Sequence, residues 1–231
     1  MYTKLSPNHS GPRNHRIDRI TPHAAVGQLS VEALGNIFFQ KARQASCNYA
    51  IGADGRVALI VEEQNRSWCS SNRENDQRAV TIECACDPKP PYAFNDAVYQ
   101  KLIDLCVDIC KRHGKKKLMW LEDKERTLSY EPKPDEMVLT VHRWFAQKSC
   151  PGDWLFARLG DLAMKVTERL TDRCYRVRKS WGQPESQIGA FSVLDNALKC
   201  AMEHEGYRVF DENGKLVSAD TQVSAGMLFE H

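Results

Sequence analysis

The stretch Val80-Thr81-Ile82-Glu83-Cys84 alternates apolar residues with Thr81 and Glu83. Alternation with a period of two predicts a β-strand that carries Thr81 and Glu83 on one face and the apolar side chains on the other. Glu83 is the exception in this pattern, because it is an acid inside a run of β-branched residues. The stretch therefore predicts both a buried strand and a candidate functional carboxylate.

The segments on either side of this strand predict a hairpin and a helix. Upstream, Asp54-Gly55 separates two apolar runs, a pattern typical of a tight β-hairpin turn. Downstream, Asn95 can cap an amphipathic helix that ends before Gly114. The apolar stripe of that helix comprises Val98, Leu102, Leu105, Cys106 and Ile109.

Two further predicted strands end in a histidine. Residues 16–23 have β-compatible composition, and Pro22 suits only a strand terminus or an edge, so we expect His23 where the strand becomes a loop. Residues 137–142 predict another strand that ends at His142. Cys150-Pro151-Gly152-Asp153 then opens a predicted helix that continues to Leu170. Strands alternate with helices throughout, which predicts an α/β fold with a mixed central sheet flanked by helices.

The pattern restarts after residue 172. Tyr175-Arg176-Val177 recurs as Tyr207-Arg208-Val209 on either side of a helical stretch. We therefore predict one domain over residues 1–172 and a small α+β module of β-α-β type over residues 173–231. A module of this size is near the lower limit for an independent core.

The composition excludes several classes of partner. The 32 basic residues nearly cancel the 30 acidic ones, which leaves a net charge of +2 and no global field that would attract nucleic acid or anionic lipid. No apolar run approaches the roughly 20 residues of a membrane span. The first residues lack the apolar stretch of a secretory signal, so we expect synthesis in the cytoplasm, where the nine cysteines would stay reduced.

Two imidazoles and one thiol form a candidate zinc site. His23 and His142 end predicted strands, and Cys150 follows His142 by eight residues at a predicted helix start, where the helix dipole favours a thiolate. Three protein ligands leave the fourth tetrahedral position of zinc open for water, as in catalytic sites. The spacing alone is not a stereotyped metal motif, and these residues could equally be unrelated core or surface residues.

Four strings in the same order are similar to the type-2 family of zinc-dependent N-acetylmuramoyl-L-alanine amidases, which includes phage endolysins and resembles the peptidoglycan recognition proteins. The resemblance covers about residues 14 to 170, and the last string is its most specific part. The strings are Ile20-Thr21-Pro22-His23, residues 47–55 (CNYAIGADG), Thr81-Ile82-Glu83, and residues 140–152 (TVHRWFAQKSCPG).

This resemblance implies specific roles for five residues. It implies that His23, His142 and Cys150 bind Zn²⁺, that Glu83 is the catalytic acid or base, and that Lys148 stabilises the oxyanion. The plainer alternatives are a salt-bridged Glu83 and a solvated Lys148.

The chain departs from the family at two positions. Some members carry a tyrosine at the position of Cys47, and a Trp-His pair often stands where this chain has Trp68-Cys69. Because the tyrosine is absent, Glu83 is the expected proton-transfer group. Neither departure changes any of the three expected metal ligands. Cys47 and Cys69 are therefore expected near the active site.

The resemblance implies cleavage of the amide between N-acetylmuramic acid and L-alanine in peptidoglycan, the expected partner. With no signal peptide, an endolysin released onto the cell wall from the cytoplasm is expected, and a cytoplasmic enzyme that trims recycled wall fragments is an alternative. A second alternative is a non-catalytic peptidoglycan-binding protein. The C-terminal module loosely resembles wall-binding sporulation-related repeats, and the competing interpretation is packing or homodimerisation.

Overall fold

A computed structural model describes residues 1–170 and 174–217. The chain divides into two compact units, residues 1–170 and the chain from residue 171 onward. The domain boundary expected between residues 172 and 173 lies outside the described residues. Among the described helices, none has both the length and the apolar composition needed to cross a membrane.

The first unit contains nine strands and six α-helices within the described residues. Its strands are β1 (Tyr2–Thr3), β2 (His9–Ser10), β3 (Arg19–Val26), β4 (Tyr49–Ile51), β5 (Val57–Leu59), β6 (Arg66–Ser67), β7 (Ala79–Cys86), β8 (Lys117–Met119) and β9 (Glu136–Leu139). Its helices are α1 (Val31–Phe39), α2 (Arg73–Arg78), α3 (Asp96–Arg112), α4 (Lys124–Ser129), α5 (Asp153–Phe156) and α6 (Leu159–Leu170).

Seven of these strands form the central sheet, in the order β1-β5-β4-β7-β3-β9-β8. Neighbouring strands run parallel except for the antiparallel hairpin of β4 and β5. Strands β2 and β6 form a separate two-stranded sheet. The mixed sheet with flanking helices confirms the predicted fold class.

Local sequence signals explain the hairpin and the longest helix. Gly55 has a φ of +78° at the β4–β5 turn, a backbone conformation that an L side chain would strain. The Asn95 side chain accepts a hydrogen bond from the Val98 amide at 2.9 Å and so caps the start of α3. Gly114 follows the end of α3 with a φ of +65°, as expected for a helix C-terminus.

The two faces of the central sheet differ in chemistry. One face packs its apolar side chains, among them Ile20, Ile82 and Leu139, against the large core cluster that includes residues of α3 and α6. The other face carries Thr21 and His23 on β3, which pair directly with Thr81 and Glu83 on β7. The functional candidates therefore lie on the face away from α3 and α6.

The prediction that His23 ends a strand is wrong, because β3 continues through Pro22 to Val26 in the interior of the sheet. The Thr140 amide donates to the Ile20 carbonyl at 3.0 Å, so the backbone polar groups of Ile20 point toward β9. Those of Pro22, two residues further along the strand, point to the same side. Pairing with β9 reaches only Ile20, whereas pairing with β7 continues to Val26. The missing Pro22 N–H therefore costs no ladder hydrogen bond.

Two other boundaries differ from the sequence prediction. Strand β9 ends at Leu139, and His142 begins a single 3₁₀ turn, His142–Trp144. The helix expected from Cys150 onward consists of the short α5 and the longer α6. Cys150 thus lies three residues before a one-turn helix.

The second unit has four strands and one α-helix in its described part. They are β10 (Tyr175–Arg178), β11 (Gly189–Phe191), α7 (Leu194–Met202), β12 (Arg208–Phe210) and β13 (Leu216–Val217). The antiparallel sheet has the order β11-β10-β12-β13. The repeated Tyr-Arg-Val triplets lie on β10 and at the start of β12, and these two strands pair directly. Helix α7 packs on the sheet face that carries Tyr175, Val177 and Val209.

Candidate active site and metal centre

Strands β3 and β7 bring His23 and Glu83 together. The two residues are direct partners in the parallel ladder, and His23 Nδ1 lies 4.0 Å from Glu83 Oε1. The His23 side chain is 1% exposed and that of Glu83 is 16% exposed. Their separation is thus set by strand pairing in the sheet interior.

The loop after β9 supplies His142 and Cys150. The His142 ring centroid lies 5.0 Å from that of His23, and Cys150 Sγ lies 3.3 Å from His23 Nδ1. The Arg143 amide donates to the Cys150 carbonyl at 3.1 Å, which folds the loop back so that its two ends meet.

Gly152 allows the loop to pack closely against the segment at Pro91 and Tyr92. Its φ is +84°, and a Cβ atom there would lie 2.9 Å from both the Pro91 carbonyl oxygen and the Tyr92 Cβ. Both the backbone conformation and the lack of space therefore require glycine after Cys150 and Pro151.

The three predicted ligands form a set that fits a zinc ion. One donor atom each from His23, His142 and Cys150 lies within 4.8 Å of the others. Tetrahedral zinc with ordinary Zn–N and Zn–S bonds separates two ligand atoms by about 3.5 Å, close to the 3.3 Å between Cys150 Sγ and His23 Nδ1. His23 Nε2 is buried without a hydrogen-bond partner among the described residues, so no protein acceptor fixes the tautomer of this ring.

Burial controls the protonation of these groups. Desolvation, with a smaller contribution from His142, holds the pKa of His23 well below its usual value, so the imidazole is neutral and keeps a free lone pair for a cation. Desolvation also raises the pKa of the Cys150 thiol far above normal. The expectation that a helix N-terminus favours the thiolate is therefore wrong for this chain without a bound cation, because burial dominates.

Desolvation likewise raises the pKa of Glu83 to about 7. The Cys69 thiol, 3.8 Å from Glu83 Oε1, and the charge of Arg43 oppose this rise. His23, Cys69 and Glu83 also form a second group of donor atoms within 4.8 Å. Cys69 is thus adjacent to Glu83, and the fully buried Cys47 is a second thiol close to it, whose pKa burial raises well above its usual value.

An open cleft of about 490 Å³ lies at this site. Glu83 and His142 line its wall, and Lys148 lies on the same wall as an exposed side chain. Three arginines, Arg43, Arg66 and Arg73, add positive charge around it. The structure therefore brings all five predicted site residues to one region. Donor atoms of the three predicted ligands lie within 4.8 Å of one another, Glu83 lies beside His23, and Lys148 is at the cleft.

A buried hydroxyl and amide network lies next to the site and was not predicted from the sequence. Thr21 and Thr140 share a 2.7 Å hydrogen bond, and Asn75 bridges both of them at 3.0 Å. A signal for it exists, because a threonine stands two residues before His23, before Glu83 and before His142. In an extended chain, residues two apart share a face, so each threonine lies behind a site residue.

The sequence analysis also did not predict the arginines of the cleft or Ser71. The Ser71 hydroxyl contacts His142. Arg43 follows α1, whereas Arg73 and Ser71 belong to the region around the start of α2. They reach the cleft only through tertiary folding, and no local motif in the sequence distinguishes them from surface residues.

A family model described as N-acetylmuramoyl-L-alanine amidase matches residues 13–153. No curated protein matches the chain.

Solved structures show a similar fold. The structure of PlyL is 15% identical, with a TM-score of 0.53, over 72% of this chain and 96% of that one. The Staphylococcus aureus hydrolase AmiA in complex with its ligand is 14% identical, with a TM-score of 0.50, over 72% of this chain and 82% of that one. Because the matched family model spans more than half of the sequence and includes every residue of the site, the chain belongs to the N-acetylmuramoyl-L-alanine amidase family.

Proposed function

We propose that this chain is a zinc-dependent amidase that hydrolyses the bond between the lactyl group of N-acetylmuramic acid and L-alanine in peptidoglycan. The observation that carries this proposal is the convergence of His23, His142 and Cys150 beside Glu83 at an open cleft. A pure binding protein needs no carboxylate 4.0 Å from a ligand histidine, so the arrangement favours catalysis over recognition alone.

The residues of the site divide the chemistry among them. His23, His142 and Cys150 would hold Zn²⁺, which, when bound, acidifies water and polarises a carbonyl group. A Glu83 carboxylate oxygen accepts the proton of the attacking water and returns it to the leaving nitrogen of L-alanine. The Lys148 ammonium, mobile on its long side chain, neutralises the negative charge that develops on the carbonyl oxygen.

Mass spectrometry of muropeptides tests the bond cleaved. Purified peptidoglycan is incubated with the full chain, with and without a chelator, and compared with a Glu83→Gln reaction. We expect released stem peptides with free L-alanine amino termini only from the metal-loaded wild type. Intact attachment of every stem peptide to its glycan would overturn the proposal.

We further propose an endolysin role, in which the enzyme is made in the cytoplasm and acts on the cell wall after release. Comparison of insoluble sacculi with soluble disaccharide peptides separates this role from trimming of recycled fragments. Faster cleavage of sacculi supports the lytic role, whereas cleavage of soluble fragments alone supports recycling.

The positive cleft predicts a dependence on substrate charge. Stem peptides carry carboxylates, and the exposed cations Arg43 and Arg73 line the cleft. We expect Arg43→Gln and Arg73→Gln each to raise KM about two- to fivefold at low salt, the effect of one exposed charge pair. Little change in kcat is expected for Arg73→Gln, whereas Arg43→Gln also removes a charge that lowers the pKa of Glu83. Michaelis kinetics on a soluble muropeptide at two ionic strengths would measure this.

The exposed Lys111, outside the cleft, supplies the matched control. Lys111→Gln removes the same charge and should leave KM unchanged. Equal effects of all three changes, or effects that persist at high salt, would contradict specific recognition of carboxylates in the cleft.

We also propose that the second unit binds the wall. The Trp181 ring contacts the side chains of Arg176, Arg178 and Phe210. Arg176 and Phe210 are direct partners on β10 and β12, and their side chains lie on the sheet face opposite α7. A partly exposed indole offers a flat platform for a sugar ring. Support for dimerisation comes instead from Met202, an apolar side chain that is 87% exposed.

Co-sedimentation of the full chain with peptidoglycan separates these two roles. Trp181→Ala should weaken binding several-fold, whereas Met202→Ala should not. If Met202→Ala abolishes a dimer seen by analytical ultracentrifugation while both variants bind the wall normally, the unit serves in self-association.

A further inference from the structure

The Ser71 hydroxyl contacts one of the metal-ligand histidines. Ser71 Oγ lies 3.0 Å from Nε2 of His142. Ser71 itself is exposed at the cleft and belongs to the loop between β6 and α2. Nothing in the ligand set or in the proton transfer uses this hydroxyl, so its contact needs a separate explanation.

The backbone of Ser71 is held in an unfavourable conformation. Its φ is +61°, in the left-handed region that residues other than glycine rarely adopt. Such conformations persist only when the surrounding structure enforces them, and they cluster at functional sites.

The neighbouring residues enforce this turn through Asp76. The Asp76 carboxylate accepts the backbone N–H groups of Cys69 at 3.0 Å and Ser70 at 3.2 Å. Asp76 is 2% exposed, and the Asn72 side chain caps α2 by accepting the Asn75 N–H at 2.7 Å. The turn is therefore anchored on both sides of Ser71, and its hydroxyl is presented to His142 by a fixed frame.

The two ring nitrogens of a histidine have different tasks at a metal site. When one nitrogen donates its proton to an oxygen, the lone pair of the other is available for the metal. In His142, Nε2 is engaged by Ser71, which leaves Nδ1. The same nitrogen of His23 faces Cys150 Sγ at 3.3 Å.

We propose that Ser71 is a positioning residue whose oxygen accepts the Nε2–H of His142 and so fixes the tautomer that binds the metal through Nδ1. The proposal rests on the proposed function in one respect, namely that His142 is a metal ligand. In this proposal Ser71 is not a metal ligand and acts through the His142 ring.

The Ser71→Ala and Ser71→Gly variants test the proposal by metal affinity. Both remove the hydroxyl, but glycine also relieves the backbone conformation. Competition of the purified full chain with a chromophoric chelator for Zn²⁺ should show about 10- to 100-fold weaker binding for both variants, the usual effect of losing a hydrogen bond to a ligand histidine. Ser129→Ala, an exposed serine remote in sequence from the site, should bind zinc like the wild type.

The pattern of results distinguishes the hydroxyl from the backbone. If Ser71→Gly keeps full affinity and only Ser71→Ala loses it, strain rather than the hydroxyl is responsible, and the proposal is overturned. Unchanged affinity in both variants overturns it as well. If wild-type zinc binding is insensitive to His142→Ala, the proposed metal site itself fails, and this inference fails with it.

The tautomer provides a second readout that does not involve activity. Long-range ¹H–¹⁵N NMR correlations of His142 in the metal-free chain should show the proton on Nε2 in the wild type and a mixture of tautomers in Ser71→Ala. A proton on Nδ1 in the wild type would overturn the proposal even if the variants lose affinity. Because this measurement needs neither zinc nor substrate, it separates failure of the inference from failure of the amidase assignment.

Discussion

A Glu83→Gln variant should lose about 10²- to 10⁴-fold in kcat, the usual contribution of one general acid–base group. Glutamine keeps the shape and the position of the side chain on β7, but its amide neither accepts the water proton nor returns it to the leaving nitrogen. Zinc binding should persist, because the proposed ligands His23, His142 and Cys150 are untouched. Steady-state kinetics together with metal analysis of the purified variant measure both quantities.

Glu62→Gln is the matched control, since Glu62 is exposed and outside the cleft. This variant should retain wild-type kcat. If Glu83→Gln kept more than about a tenth of the activity with full zinc content, proton transfer would have to be assigned to another group, and the role proposed for Glu83 would be wrong.

A Cys150→Ser variant should lose zinc affinity by more than about 100-fold, because substitutions that only support a ligand already cost 10- to 100-fold. The physical reason is that a buried hydroxyl gives up its proton far less readily than a thiol and binds zinc poorly. Turnover should fall with the metal content and recover partly at high zinc concentration. Chelator competition and the zinc dependence of the rate measure the two effects.

Cys69→Ser provides the matched comparison, because Cys69 belongs to the second donor group with His23 and Glu83. We expect near-normal zinc affinity in this variant. A larger loss in Cys69→Ser than in Cys150→Ser would place the ion in the second group, where Glu83 would be a ligand and unavailable for proton transfer.

Local sequence patterns were sufficient for much of the scaffold. The Asp54-Gly55 turn, the Asn95 cap and the alternation around Glu83 depend on neighbouring residues, and each element formed as predicted. Pro22 misled the prediction because its cost depends on which side of β3 is paired, and that is decided by β9, more than 100 residues away in the sequence.

The site could be proposed from the sequence only where its residues belong to a family motif. His23, Glu83, His142, Lys148 and Cys150 were named in this way, and their assigned roles remain predictions. Ser71 and Asn75 were missed because their importance lies in contacts with His142, Thr21 and Thr140, which only the folded chain creates. The protonation of Cys150 was misjudged because burial, unlike helix position, cannot be read from a short motif.

The site has two parts that differ in their tolerance to insertions and deletions, namely the paired strand positions of His23 and Glu83 and the loop from His142 to Cys150. A one-residue insertion or deletion in β3 ahead of His23, or in β7 ahead of Glu83, would shift the register and turn that side chain to the opposite face of the sheet. The loop from His142 to Cys150 has no such register constraint, provided that its ends still meet and that Lys148, close to its end, still reaches the cleft. Divergent descendants of this chain should therefore differ in the length and charge of that loop, and hence in substrate preference, while the spacing within the two strands stays fixed.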